Sequence, residues 1–277
     1  MPAISTDGVT LSFVHTGTGA PVFCLHSSGG SGGQWKRLGA ELSPRYHVLA
    51  PDLHGHGGTS PWPYARPLRL SDEVALVEPL LTALPSPVHL IGHSYGGAVA
   101  LKLALAAPAR LRSLTLIEPV LFALLDPQND PSDYLEVSQI AENTVRAVRA
   151  GQPAAAARLF VDYWSGAGAW AGLPDHARAV VERSIPAVAR HWEAVLGDGM
   201  TLADLSAFPV PTLLLAGDHG PRPARRVTER LAATLPEAVL GMIAGAGHMS
   251  PLTHSAAVNA AIVKHLARHP ADVIAAA

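Results

Sequence analysis

The sequence predicts an α/β fold: a mostly parallel central sheet flanked by helices and interrupted by a helical insertion. Three observations carry that expectation. Short β-like runs alternate with amphipathic segments as far as Glu118, the pattern of parallel strands joined through crossover helices. From about residue 119 to residue 209 the strand pattern vanishes, and Ala-rich, helix-forming stretches take over. It returns at Thr212 and completes the sheet. The expected organisation is one core domain made of residues 1–118 and 210–277, with residues 119–209 as the insertion. A chain of 277 residues accommodates this, because α/β proteins often run to about 200–250 residues around a single core.

Residues 9–15 and 22–26 read as early strands, and residues 46–51 as another. Ser71 is placed to cap a helix running to about Leu84, after which Pro85 and Pro87 break the chain before a strand at 88–91. A helix from Tyr95 to about Ala107 is closed by Pro108, and residues 111–117 form the next strand, so this stretch is a βαβ unit. The insertion holds helical stretches at 134–150, 154–164 and 176–196. After it come a buried strand at 212–217, a helix at 224–235, a strand at 239–243 and a last helix from about Pro251 to Arg268.

Composition narrows the function. Apolar residues make up 48% of the chain and charged residues 15%, which suits a packed core rather than a disordered chain. The formal net charge is −2 and neither half carries a long run of one sign, so nothing marks a surface for nucleic acid or an anionic membrane. The expected partner is a small, largely neutral substrate, and the chain itself is expected to be a monomer or homodimer. Cys24 is the sole cysteine, which excludes an internal disulfide and any multi-cysteine metal site. Inside an apolar run it reads as a buried structural thiol. The first residues lack the basic start and apolar stretch of a signal peptide, and no apolar run is long enough to span a bilayer. Cytoplasmic residence is the expectation.

The chemistry concentrates at Gly92-His93-Ser94-Tyr95-Gly96-Gly97, between a strand and a helix. A sharp turn there exposes the Ser94 hydroxyl, and glycines two residues either side remove the Cβ atoms that would clash. A serine hydroxyl needs a general base within hydrogen-bond reach. His248 is best placed among the fourteen histidines, because it ends the loop Ala244-Gly245-Ala246-Gly247 after the last strand; His254, on the following helix, is the rival. His93 points away from the Ser94 side if the strand pleat persists. The early loop Ser27-Ser28-Gly29-Gly30 can aim backbone N–H groups at a developing oxyanion, with Ser28 and Tyr95 as the expected donors.

These motifs resemble the α/β-hydrolase superfamily, over the chain from about Val9 to the final helix. His26-Ser27 stands where the family usually has His-Gly, which makes Ser27 a candidate substrate contact. Pro51-Asp52-Leu53-His54-Gly55-His56-Gly57-Gly58-Thr59 resembles the family's D-x-x-G-x-G-x-S loop. On that resemblance, His54 and His56 belong to a structural turn and not to a metal site. The resemblance implies a triad, an oxyanion hole and a substrate pocket between the core and a cap supplied by the insertion, with no metal or organic cofactor. Tyr163, Trp164, Trp170 and Trp192 are candidates to line that pocket, or alternatively to form the insertion's own core.

One position departs from the family pattern. Gly217-Asp218-His219-Gly220-Pro221 resembles the G-x-x-D-P turn, with Gly220 where the usual triad acid stands. Glu118 directly follows the strand at 111–117, and haloalkane dehalogenases, similar in fold, include members with the acid at that alternative location. Glu118 is therefore the favoured acid. Asp218 is the alternative, although an extended chain sets it about 7 Å further back than residue 220. The expected reaction is hydrolysis of a small, apolar carboxylic ester, lactone or thioester through Ser94. The alternatives are hydrolysis of a carbon–carbon bond in a diketone-like substrate, or a non-catalytic ligand-binding protein on the same fold.

Overall fold

The computed structural model describes residues 2–6, 8–85 and 87–270. Along the chain run β1 (Ala3–Thr6), β2 (Val9–Thr16), β3 (Ala20–Leu25), α1 (Lys36–Leu42), β4 (Tyr46–Pro51), α2 (Leu70–Ala83), β5 (Val88–His93), α3 (Tyr95–Ala106) and β6 (Leu111–Ile117). Four helices follow without an intervening strand: α4 (Pro131–Arg149), α5 (Pro153–Ser165), α6 (Ala169–Gly172) and α7 (Asp175–Leu196). The core then resumes with β7 (Thr212–Gly217), α8 (Arg222–Thr234), β8 (Ala238–Ile243), α9 (Ser250–Thr253) and α10 (Ser255–Arg268).

The eight strands form one sheet in the order β1-β2-β4-β3-β5-β6-β7-β8. The β1–β2 and β2–β4 pairs are antiparallel, and every pair from β4 onward is parallel. Alternation within each strand divides the core in two. Val22 and Cys24 of β3, with Ile91, Ile117, Leu213 and Leu215, pack against α1 and α10 on one face. Phe23 and Leu25, with Leu90, Leu114, Leu116 and Leu214, pack against α2, α3 and α8 on the other, where the core runs on into the insertion. Burial pushes the Cys24 thiol well above its usual range, as suits a packing residue.

Three local features differ from the sequence expectation. The strand β1 was not anticipated; four residues at the sheet edge carry too short an alternation to register. The helix α2 begins one residue before Ser71, and its first turn is closed by Asp72, whose Oδ2 accepts the Arg69 backbone N–H at 2.8 Å. The final helix is two helices, broken at His254, where the backbone leaves the helical region. Among the described residues no helix is long and apolar enough to cross a membrane.

Candidate active site

The turn from β5 into α3 places Ser94 at φ 56 and ψ −121, a conformation that costs a non-glycine residue of order 1–3 kcal/mol and persists only where surroundings hold it. Here they do. The Ser94 N–H donates to Ile117 O at 2.9 Å, while Ser94 O accepts from Gly97, Ala98 and Val120. The flanking glycines are required by space. A Cβ on Gly92 would lie 2.4 Å from Gly96 O, and one on Gly96 would lie 2.4 Å from His26 O. The elbow is thus wedged between α3 and the loop after β3.

Three neighbouring strand ends converge on Ser94. His248, in the loop after β8, accepts the Ser94 hydroxyl at Nε2, 2.8 Å away. Its Nδ1–H donates to Glu118 Oε2 at 2.5 Å, which fixes the tautomer that leaves Nε2 free to accept. Glu118 follows β6 at φ 40, with Oε1 accepting the Gly217 N–H at 2.8 Å from the end of β7. All three side chains are buried. Asp218, by contrast, is exposed and pairs with its neighbour His219 at 2.6 Å; an amide of Gly245 and the His219 pairing hold its carboxyl below the usual range. The structure does not bring Asp218 to His248, because its side chain leaves the turn on the solvent side. His254 stays outside as well, bonded to Thr253 Oγ1 at 2.9 Å.

A cavity of about 20 Å³ adjoins Ser94, lined by Ser28, Tyr95, Val120, Phe160, Trp164 and Trp192, with Val188, His191 and Val195 completing the wall. Ser28 and Tyr95, the expected donors, line the same cavity as Ser94. Trp164 and Trp192 reach this cavity from the insertion. Trp164 also stacks on the His248 ring, with centroids 3.9 Å apart. It borders an outer cleft of about 540 Å³ as well, which includes Tyr163, Gly220 and Met249. The indole therefore separates cleft from cavity. Tyr163 belongs to the cleft, with its hydroxyl bonded to Glu136 at 2.8 Å.

Two expected pocket residues are elsewhere. Trp170 lies in the four-residue helix α6, is not in the cavity lining, and packs against the core that runs into the insertion, the alternative expected for it. Ser27 turns its hydroxyl to Gln34 Oε1, at 2.9 Å, and so faces the protein rather than the cavity. Loop residues carry no periodicity that would fix such a direction. Ser27 is part of a supporting chain that sequence reasoning missed. Gln34 Nε2 donates to His93 Nδ1 at 3.1 Å, and His93 Nε2–H donates to the His248 carbonyl at 2.9 Å. His93 points away from Ser94, as the pleat requires, yet it holds the histidine loop.

The remaining histidines near the site are packed as neutral rings. His56 donates from Nδ1 to His54 O and accepts the Gly29 N–H at Nε2; burial lowers it to about 3. His26 donates to Ser27 O and accepts the Leu53 N–H; burial lowers it to about 4. Each of these two rings uses both nitrogens to brace a loop, and His54 Nδ1 lies 3.2 Å from Ser60 O. His191 was also missed. It shares a helix face with Val188, Trp192 and Val195, a spacing visible in the sequence.

The chain is similar to known hydrolases. A family model described as the alpha/beta hydrolase family matches residues 22–261. Lipase LipV of Mycobacterium tuberculosis is 41% identical over 36% of this chain and 37% of its own length, so the chain spans little more than a third of that relative. A pimeloyl-acyl-carrier-protein methyl ester esterase of Aromatoleum aromaticum is 30% identical over 83% of this chain and 91% of the esterase. Among solved structures, a hydrolase from Pseudomonas aeruginosa PA01 is similar at a TM-score of 0.79 and 26% identity, over 95% of this chain and 97% of that one.

Proposed function

The chain belongs to the alpha/beta hydrolase family, and from that membership we propose that it is a serine hydrolase cleaving a small, largely apolar carboxylic ester, lactone or thioester through an acyl-enzyme on Ser94. The observation that carries this reading is the continuous hydrogen-bond chain from Ser94 Oγ through His248 to Glu118. As Ser94 Oγ attacks the carbonyl carbon, its proton passes to His248 Nε2. Glu118 orients the ring and stabilises its protonated form without taking the proton. The backbone N–H groups of Ser28 and Tyr95 receive the oxyanion, an arrangement in which each donor contributes about 3–4 kcal/mol to the transition state. His248 then protonates the leaving group. Water, deprotonated by the same nitrogen, releases the acid and restores Ser94.

The wall of the cavity supports an apolar acyl group, since Val120, Phe160, Trp164, Val188, Trp192 and Val195 surround the approach to Ser94. Similarity to a lipase and to a methyl ester esterase supports an ester as the bond cleaved. A fluorophosphonate probe tests the assignment directly. Stoichiometric labelling at Ser94 is expected, with loss of about 10⁵–10⁶ in kcat for Ser94→Ala. Esterase activity retained in Ser94→Ala would sink it.

A further inference from the structure

The loop after β3 has no regular structure to hold it. Gly29 sits at φ 74, and glycine and serine leave such a loop free to shift unless it is tied. Oxyanion donors tolerate little shift, because their contribution depends on alignment fixed before the reaction. Beside its contacts with the core, Ser27 with Gln34 and the Gly29 N–H with His56, the loop has one tie from the insertion. Ser28 Oγ and His191 Nδ1 are joined by a hydrogen bond of 2.7 Å across 163 residues of sequence. The His191 ring also lies flat on the Tyr95 ring, centroids 3.6 Å apart and planes 5° from parallel. One side chain of α7 therefore touches both residues whose N–H groups are proposed to receive the oxyanion.

His191 is itself held from behind. His56, which accepts the Gly29 N–H, stacks on its far face at 5.0 Å. Glu73 of α2 accepts the Tyr95 hydroxyl at 3.3 Å and lies 3.7 Å from His191 Nε2, which has no hydrogen-bond partner. Burial lowers His191 and raises Glu73, so the two meet as neutral groups and not as an ion pair. The ring is thus packed edge and face, with its Nδ1 bond to Ser28 as the directional contact.

We infer that His191 is a positioning residue which aligns the oxyanion hole from the insertion, so that seating of α7 on the core completes the site. The inference rests on the serine-hydrolase reading. The test compares wild type with His191→Phe, which keeps a ring against Tyr95 but removes the bond, and with Ser28→Ala, which keeps the Ser28 N–H and removes the same bond from the other side. The readouts are kcat and KM on a short-chain ester, inhibition by a trifluoromethyl ketone that adds Ser94 as a tetrahedral oxyanion, and the melting temperature.

Each variant is expected to lose about 10–100-fold in kcat with KM nearly unchanged, since misplacing a reacting group by an ångström costs on that order. Ketone inhibition should weaken by the same factor, and the double variant should be no worse than the larger single loss. His191→Asn, which returns a polar atom near Nδ1, should recover part of it. A packing role alone would lower the melting temperature and leave kcat per folded molecule intact; that result overturns the inference. If His191→Phe fails to fold, unchanged kcat and ketone affinity in Ser28→Ala overturn it equally. A wild type that labels at Ser94 and turns over ester separates this failure from failure of the hydrolase reading, which wild type itself would show.

Discussion

Glu118 and Gly220 share one volume: a Cβ on residue 220 would lie 2.9 Å from Glu118 Oε1 and 3.1 Å from Oε2. The vacancy at the turn after β7 and the carboxylate after β6 are therefore two halves of one arrangement. A side chain at residue 220 would have to displace the Glu118 carboxylate from its place beside His248. Gly220→Ala should push the carboxylate off His248 and lower kcat by about 10–100-fold. Glu118→Gln should cost about 10³–10⁴, the scale of losing the group that sets the histidine's tautomer. Asp218→Asn should leave ester hydrolysis unchanged. Steady-state kinetics with circular dichroism on each variant decides, and a crippled Asp218→Asn beside a mild Glu118→Gln would reverse the assignment.

The position of Ser94 was legible because the spacing of the turn is local, although the backbone that holds it reaches to Ile117 and His26. The glycines at 92 and 96 meet backbone within a few residues or on the adjacent strand, and their spacing alone records the turn. Glu118 was legible only through resemblance, since its fitness depends on space left by a residue more than a hundred positions away. The same distance hid the Ser28–His191 bond. Helical spacing put His191 on the face of Val188 and Trp192, but no periodicity states what that face meets. Ser27 was misplaced, and Trp170 left open between pocket and core, for a related reason: a loop and a four-residue helix do not fix side-chain direction as a long helix or strand does.

Trp164 stands between the outer cleft and the inner cavity while covering the His248 ring. A substrate that enters from the cleft must displace or pass the indole. Trp164→Leu should therefore shift kcat/KM toward longer acyl chains, by about tenfold or more between a short and a long ester, the scale set by a few methylenes in an apolar pocket. A chain-length panel of esters measures this. An unchanged ratio would mean that substrates reach Ser94 by another route.

The insertion is bound to the core by charge as well as by packing. Asp130, at the start of α4, has its Oδ1 2.6 Å from Arg226 Nε and its Oδ2 on Arg230, both arginines belonging to α8. The carboxylate is buried, whereas the Arg226 and Arg230 side chains keep 37% and 17% of their exposure. Asp130→Ala should destabilise the fold by about 3 kcal/mol, the low end for breaking a buried pair, because the arginines can turn to water. Glu142→Ala makes the contrast. Its partner Arg146 is 4.0 Å away and both side chains are largely solvent-exposed, so urea unfolding should show no measurable change. Equal effects from the two would show that burial does not govern these pairs.

Buried ionisable groups set opposing pH limits on stability. Burial lowers His26 and His265 to about 4, and His56 and His89 to about 3, from an ordinary 6.5. Their depressed values mean that stability present above pH 6.5 is lost as the pH falls, because the unfolded chain takes up protons that the folded one refuses. Glu73 acts the other way. Burial raises it from 4.5 to about 8, so its contribution is full below pH 4.5 and is lost as the pH rises toward 8. At pH 6.5 the unfolded copies of these four histidines are each still half protonated and together outweigh one carboxyl, so stability climbs past pH 6.5 and turns down only at about pH 7, where their uptake falls below one proton. The melting temperature should peak at about pH 7, and the Glu73 contribution by itself should fall by about 2 kcal/mol between pH 6.5 and 8, at about 1.4 kcal/mol per pH unit for one proton. Glu73→Gln keeps the shape and cannot ionise, so relative to wild type its stability should gain by that amount over the same range while the acid limb remains. A difference between wild type and Glu73→Gln that stays constant from pH 6.5 to 8 would show that Glu73 enters the fold already ionised.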